Sequence, residues 1–295
     1  MARAVVDDAT RVETALRTLK PDWAGRPVLH LDYLPGGYTN RNYRIEIGGG
    51  VYALRVVERS VPATYEPSSD HRESQITEGR YLRIAAAPDV VAHDFDTGHL
   101  LTRWIVGSVL AQAQPTPQEA GAYLAALHGQ IPMGVRRYDY RHEVATMFGR
   151  AKQVDPLVAE RFEDLQWAPT VRCGCHNDLN PWNIIRTASA EKPAEHFRTL
   201  DWETAGDNDP LFDLVGLCLG LDWDEAAALA CLGSYQAHGG TVEADVQRLR
   251  DTTRAFLIRE YAWAVAQIAI GNDGDAIREQ ARSTRAALVG GEQAR

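Results

Sequence analysis

The spacing of apolar positions changes character about a third of the way along the chain. Before Gly107 it is mostly the spacing of strands. Tyr43, Ile45 and Ile47 alternate with polar residues, Gly48-Gly49-Gly50 interrupts the run and Val51–Val57 resumes it, which predicts two strands joined by a tight turn. Leu31–Leu34, leading into Pro35-Gly36-Gly37, predicts a strand before them. Val90–Phe95 and His99–Ile105 flank Asp96-Thr97-Gly98 and predict a further hairpin. Helical spacing occurs from Asp7 to about Leu19, ended by Lys20-Pro21-Asp22, and again over 71–87. After Gly107 helix-start signals dominate. Thr116-Pro117-Gln118-Glu119 is a capping box with proline at the first helical position, and Ala120, Leu124 and Leu127 then share one face. Asp155-Pro156 and Asp209-Pro210 open two more helices, and 242–270 reads as one long helix or two joined ones. Short strands at Val171–Cys175, Ile184–Ile185 and Arg198–Asp201 break up this helical half. The expectation is an α+β chain of two lobes. Residues 1–106 form an antiparallel, β-rich lobe with one inserted helix, residues 107–295 a mainly helical lobe, and a hinge lies near 103–107.

Composition narrows the class. A length of 295 residues exceeds the usual single core, while 45% apolar and 24% charged residues describe a globular chain rather than a disordered one. The net charge of −9 speaks against a nucleic-acid binder working through a broad basic face. No apolar run approaches the roughly 18 residues of a membrane span. Asp7 and Asp8 interrupt the stretch where a signal peptide would be apolar, so a cytoplasmic enzyme is expected. Cys173, Cys175, Cys218 and Cys231 fit neither the paired CxxC spacing of a zinc site nor a disulfide framework, and read as reduced thiols in a core. Of 31 basic residues only Lys20, Lys152 and Lys192 are lysine, and none stands in a G-x-x-x-x-G-K-[ST] loop. A cation that grips phosphate here must be an arginine.

The strongest chemical signal is Cys175-His176-Asn177-Asp178-Leu179-Asn180-Pro181-Trp182-Asn183, which matches H-x-D-L-x-x-x-N, the catalytic-loop spacing of protein-kinase-like enzymes. Phosphoryl transfer needs a carboxylate to orient or accept the proton of the attacking hydroxyl, and a nearby amide oxygen on Mg²⁺. Asp178 and Asn183 suit those roles. Eighteen residues beyond Asn183, Leu200-Asp201-Trp202-Glu203 ends a strand in acidic residues, where a second metal carboxylate would stand. Upstream, Tyr52-Ala53-Leu54-Arg55 has the pattern of V-A-I-K. Strand alternation puts Ala53 and Arg55 on one face, Ala53 to border an adenine ring and Arg55 to meet phosphates. Glu78 or Glu73 on the next helix would pair with Arg55. Gly36-Gly37-Tyr38-Thr39-Asn40 stands where a phosphate-covering loop would, its small residues letting backbone N–H groups approach.

These residues, together with Arg41-Asn42-Tyr43, Leu101-Thr102-Arg103-Trp104-Ile105 and the run Thr204-Ala205-Gly206-Asp207-Asn208-Asp209-Pro210-Leu211-Phe212-Asp213-Leu214, resemble the aminoglycoside phosphotransferase superfamily. Within it the chain is most similar to the choline/ethanolamine kinase branch, through the T-N-x-x-Y loop and the arginine on the third strand. The resemblance covers about 30 to 270. It implies a bilobal protein-kinase-like fold and ATP- and Mg²⁺-dependent phosphorylation of a small-molecule hydroxyl. Carried over by position, Asp178 is the base, Asn183 and Asp201 are metal ligands and Arg55 is the phosphate clamp. Gly36, Gly37, Thr39, Asn40 and Ala53 would also touch the nucleotide, and Arg103, Trp104 and Ile105 would form the adenine-binding hinge. Asp209 and Pro210 read as a helix start, and Asp213 as a backbone anchor for the catalytic loop.

One further pattern bears on the acceptor. From Thr199 to Gln247 there is no Lys or Arg, while Asp201, Glu203, Asp207, Asp209, Asp213, Asp222, Asp224, Glu225, Glu243 and Asp245 are acidic. Trp182, Trp202, Trp223 and Trp263 lie in and around this stretch. A field of that sign concentrates cations, and aromatic faces with a carboxylate hold a quaternary ammonium. The expected acceptor is a cationic amino alcohol such as choline or ethanolamine, with Glu203, Asp222, Asp224, Trp223 and Trp263 as candidate contacts. An aminoglycoside kinase, a thiamine kinase and a nucleotide-binding pseudokinase scaffold are the alternatives.

Overall fold

The alternation seen in the sequence becomes the seam of the first of two units, Met1–Val106 and Gly107–Arg295, in a computed structural model that describes residues 7–35, 40–57, 71–187 and 196–290. In the first unit a helix, α1 (Asp8–Leu19), starts at Asp7, whose side chain accepts from the Thr10 N–H. Strands β1 (Val28–Leu34), β2 (Asn40–Ile47) and β3 (Gly50–Val57) follow, then α2 (His71–Tyr81), β4 (Val90–His93) and β5 (Leu100–Arg103). The strands form one antiparallel sheet in the order β1-β2-β3-β5-β4. Gly48 and Gly49 both take positive φ, the conformation that a two-residue turn between β2 and β3 demands. Tyr43, Ile45 and Ile47 on β2 and Tyr52, Leu54 and Val56 on β3 share a buried cluster with Val12, Ala15, Leu16 and Leu19 of α1. The alternate positions of β3, including Ala53 and Arg55, lie on the opposite face. Helix α2 stops at Tyr81, short of the 87 that spacing predicts. Beyond it the chain tightens into turns, the Ile84 N–H reaching the Tyr81 carbonyl and the Ala87 N–H the Ile84 carbonyl, before Pro88.

The second unit is mainly helical. Its elements are β6 (Gly107–Val109), α3 (Leu110–Ala113), α4 (Pro117–His128), α5 (Tyr140–Arg150), α6 (Pro156–Asp164), β7 (Cys173–Cys175), β8 (Ile184–Thr187) and β9 (Phe197–Thr199). After them come β10 (Gly206–Asn208), α7 (Pro210–Gly220), α8 (Glu225–Ala237), α9 (Val246–Ala269) and α10 (Asp275–Val289). The stretch 242–270 is one helix, α9, capped by Asp245. The capping box at Thr116 and Glu119 forms with both of its hydrogen bonds. Helix α7 is buried from Pro210 to Cys218 on every face, and α9 packs against α5, α7 and α10 around it. The strands form two small antiparallel sheets, β6-β8-β9 and β10-β7. Two strands are shorter than the sequence suggests: Val171 and Arg172 stay outside β7, and β9 ends at Thr199, two residues before Asp201. Among the described residues no helix is long and apolar enough to cross a membrane.

Candidate active site

In the second unit, pairing of Cys175 with Gly206 sets the loop that leaves β7 beside the loop that enters β10. The β7 loop is held from below. Asp213, fully buried in the first turn of α7, accepts the His176 N–H on Oδ2 and the Asn177 N–H on Oδ1, each at 2.7 Å. Its Oδ2 also meets His128 Nε2 at 3.0 Å. Burial works against a charged His128, yet the bonds to Asp213 and Cys173 prevail and push its pKa up to about 10. Asn177 has φ +66, a conformation that asparagine tolerates better than most residues. Its side chain donates to the Thr204 and Gly206 carbonyls at 3.0 and 3.2 Å, so the strained residue is itself the tie between the two loops. His176 Nε2 donates to the Leu200 carbonyl at 2.8 Å, and burial lowers its pKa. That neutral ring is an anchor.

The other side of the loop gathers at Asn183. Its Nδ2 donates to the Asp178 carbonyl at 3.0 Å and to Asp178 Oδ2 at 3.3 Å. Its own carbonyl accepts the Leu200 N–H at 2.7 Å, which brings the residue before Asp201 against it. Asp201 is exposed and takes φ +61 and ψ +68, turning the chain out of β9 into a 3₁₀ turn at Trp202–Thr204. A left-handed aspartate costs on the order of 1–3 kcal/mol and persists only where its surroundings hold it. A carboxylate and an amide oxygen on adjoining segments are hard donors of the kind Mg²⁺ takes, so the residues present fit that ion.

A residue that sequence reasoning missed completes this region. Arg259, in the middle of α9 and 5% exposed, donates from Nη1 to Asp178 Oδ1 at 3.0 Å, across 81 positions of sequence. It also pairs with Glu260 at 2.5 Å and, through Nε, with Glu143 of α5 at 3.6 Å. Burial raises the pKa of both Glu143 and Glu260, against the attraction of Arg259. The one available signal was an arginine and a glutamate in the otherwise apolar stretch from Ala255 to Val265, since buried charges there need partners.

The first unit holds its own pair. Arg55 donates from Nη1 and Nη2 to the two oxygens of Glu78, both at 2.7 Å, and Glu78 is 2% exposed. Glu73 is exposed on α2. Ala53 pairs with Thr102 across β3 and β5, and the Trp104 N–H continues the ladder to the Val51 carbonyl at 3.0 Å. Arg103 N–H donates to the Asp89 carbonyl, and Ile105 lies in the segment leaving β5. Asn40 opens β2 opposite Val57, whereas Gly36, Gly37 and Thr39 lie outside the described residues.

The acceptor candidates are spread over three places of the second unit. Trp263, half-buried, follows Arg259 by one turn of α9. Asp222, with φ +58, and Trp223 line a cavity of about 650 Å³ with Ala111, Gln114 and Pro115. Asp224 is occupied as the cap of α8, accepting the Ala227 N–H at 2.8 Å. The Glu203 carbonyl accepts from Arg136 at 2.7 Å. Trp202 is wholly buried against His176.

Comparison with known proteins shows the family and the fold. The model of the "Phosphotransferase enzyme family" matches residues 30–252. The protein LicA of Haemophilus influenzae is 27% identical over 229 residues, which are 70% of this chain and 64% of LicA, so the chain spans somewhat less than two thirds of that relative. A solved choline/ethanolamine kinase family protein from Mesorhizobium loti superposes with a TM-score of 0.68 at 21% identity, over 95% of this chain and 93% of that one. A solved LicA in complex with AMP gives a TM-score of 0.71 at 18% identity, over 95% and 97%. These two likenesses establish the fold.

Proposed function

The chain belongs to the phosphotransferase enzyme family, and from that premise we propose that it is a small-molecule kinase moving the γ-phosphate of ATP onto a hydroxyl of a cationic amino alcohol of the choline or ethanolamine kind. The observation that carries this reading is the junction at Asn183, whose side chain leans on Asp178 while its carbonyl takes the N–H next to Asp201. Asp178 receives the acceptor hydroxyl and takes up its proton as the new phosphorus–oxygen bond forms. Arg259 fixes one oxygen of that carboxylate and Asn183 bears on the other, so its direction is set before an acceptor arrives. Asn183 and Asp201 hold Mg²⁺, which when bound neutralises charge on the phosphates. Arg55, kept in place by Glu78, is the phosphate clamp of a nucleotide-binding lobe over 1–106, where Ala53 borders the adenine and Arg103, Trp104 and Ile105 form its hinge. Gly36, Gly37, Thr39 and Asn40 belong to the loop over the phosphates. The catalytic and acceptor lobe is 107–295.

A cationic acceptor is supported by the stretch from Thr199 to Gln247, acidic and without lysine or arginine, and by Trp263 one turn from Arg259 on α9. Glu203, Asp222 and Trp223 are the remaining candidates for its ammonium. Each aromatic face contributes about 0.5–2 kcal/mol to such a cation. A screen with ATP-Mg²⁺ of choline, ethanolamine, thiamine, an aminoglycoside and an uncharged alcohol tests the reading. Preferential phosphorylation of choline or ethanolamine is expected. Turnover as good with the uncharged alcohol would end the cationic assignment, and no transfer to any of them would end the small-molecule kinase reading.

A further inference from the structure

Behind the catalytic loop lies a cluster that phosphoryl transfer does not use. Cys173 and Cys175 are two positions apart on β7 and so point to one face of the strand, their sulfurs 3.5 Å apart. Gly174 between them lies against Ile131, where a Cβ would come within 2.5 Å, so a glycine is what lets this strand sit so close. His128, the last residue of α4, reaches the same point: one ring nitrogen and both sulfurs all lie within 4.8 Å of one another. Its Nδ1 meets the Tyr235 hydroxyl and its Nε2 the Asp213 carboxylate, each at 3.0 Å. His128 and Cys175 are buried, while Cys173 is partly exposed and gives access from solvent.

We propose that His128, Cys173 and Cys175 form a binding site for a thiophilic divalent ion of the zinc class. A tetrahedral ion with Zn–S bonds of about 2.3 Å spaces its sulfurs about 3.8 Å apart, close to the separation already present. The three donors sit on elements fixed independently, β7 by its pairing with β10 and α4 by its packing on α8. An imidazole bound through one nitrogen keeps the hydrogen bond of the other. A retained bond to Asp213 makes the carboxylate–histidine–metal chain that orients most ligating histidines. The protons carried by the thiols and the ring leave to solvent as the ion binds, and the Tyr235 hydroxyl or a water is at hand for the fourth position. The Mg²⁺ of the transfer reaction prefers oxygen donors and does not compete for sulfur. Because Asp213 also carries the amides of His176 and Asn177, an ion on His128 bears directly on the loop that holds Asp178.

The test needs no nucleotide and no acceptor, so it stands apart from the kinase reading. Reduced protein is titrated with Co²⁺ alone. The expected result is one ion per chain, an intense thiolate-to-cobalt charge-transfer band with the visible bands of a tetrahedral ion, and displacement by an equivalent of Zn²⁺. Cys173→Ser, at the partly exposed position, weakens binding by ~10²-fold or more. Cys175→Ala does the same, with circular dichroism to show that both variants are folded. Cys218→Ser, in the separate buried thiol pair with Cys231, leaves the band unchanged. Absence of the band in the folded parent protein overturns the proposal, as does its survival in the Cys173→Ser/Cys175→Ala double variant or its loss in Cys218→Ser.

Discussion

Each unit of this protein sets an arginine against carboxyl groups, and the proposed function gives the two opposite jobs. In the sheet unit Arg55 is one cation facing one anion, Glu78, in a two-bonded fork. On the proposed reading the arginine is the group offered to a ligand, and the glutamate fixes it. In the helical unit Arg259 faces three carboxyl groups, those of Asp178, Glu143 and Glu260, and on the proposed reading Asp178 is the working group while the arginine fixes it. A guanidinium carries five N–H donors in a rigid fork, so the same side chain serves as tool or as holder according to the number of carboxylates around it. The contrast makes a sharp claim. Loss of the tool should remove activity and spare the fold, whereas loss of the holder should damage both.

The largest effect expected is on turnover. Asp178→Ala should lower kcat by ~10²–10⁴-fold, with ATP binding largely kept, because it removes the proton acceptor and nothing of the first unit. Full turnover in this variant would remove Asp178 from the mechanism. The holder comes next. Arg259→Met leaves Glu143, Glu260 and Asp178 without their buried counter-charge, and should cost roughly 3–5 kcal/mol of stability by chemical denaturation as well as turnover. A variant as stable as the parent would mean that the cluster is not what holds α9 to α5 and the catalytic loop.

Glu78→Gln probes the other pair. One bond of the fork is lost, because the amide NH₂ cannot accept, and the other becomes a neutral one, so stability should fall by about 1–3 kcal/mol while the KM for ATP rises roughly tenfold, or about 1.4 kcal/mol. A change confined to stability would make the Arg55–Glu78 fork structural and break the parallel with Arg259 and Asp178.

How far these features could be read in advance follows from the same contrast. Arg55 and Glu78 are 23 positions apart on neighbouring elements, and β-strand alternation says which way Arg55 points. The spacing from His176 to Asn183 was equally legible, because one short loop carries it. Asp213 was legible as an anchor through the family resemblance of the run 204–214, which sets it in the first turn of the helix that Asp209 caps. Arg259 was not, because its meaning depends on α5 and α9 packing against each other, and local spacing does not encode such a contact. The acceptor residues fall between: acidity and tryptophans marked the stretch, but helix capping had already claimed Asp224, and Trp202 is core. The thiols of β7 were visible as C-G-C, yet the histidine that joins them comes from α4, 45 positions earlier.

The His128–Asp213 pair should respond to pH across the neutral and mildly alkaline range. The folded chain holds His128 at about 10, while the unfolded chain restores it to about 6.5. Its raised value therefore stabilises fully below about pH 6.5, and that contribution fades as pH rises through about 10. The difference in denaturation midpoint between the parent and His128→Gln should shrink steadily over that window. A difference that stays constant would mean that His128 is neutral in the fold.

The smallest effect separates two uses of a single carboxylate. Asp224 accepts the Ala227 N–H as the cap of α8, and both aspartate and asparagine can do this. Asp224→Ala should then cost about 1 kcal/mol and Asp224→Asn almost nothing. Neither should alter the acceptor KM, which Asp222→Asn, in the cavity with Trp223, should raise if that cavity receives the ammonium. A rise in acceptor KM for Asp224→Asn, with stability unchanged, would move Asp224 from the helix end into the acceptor site, because only the charge, and not the cap, differs between the two residues.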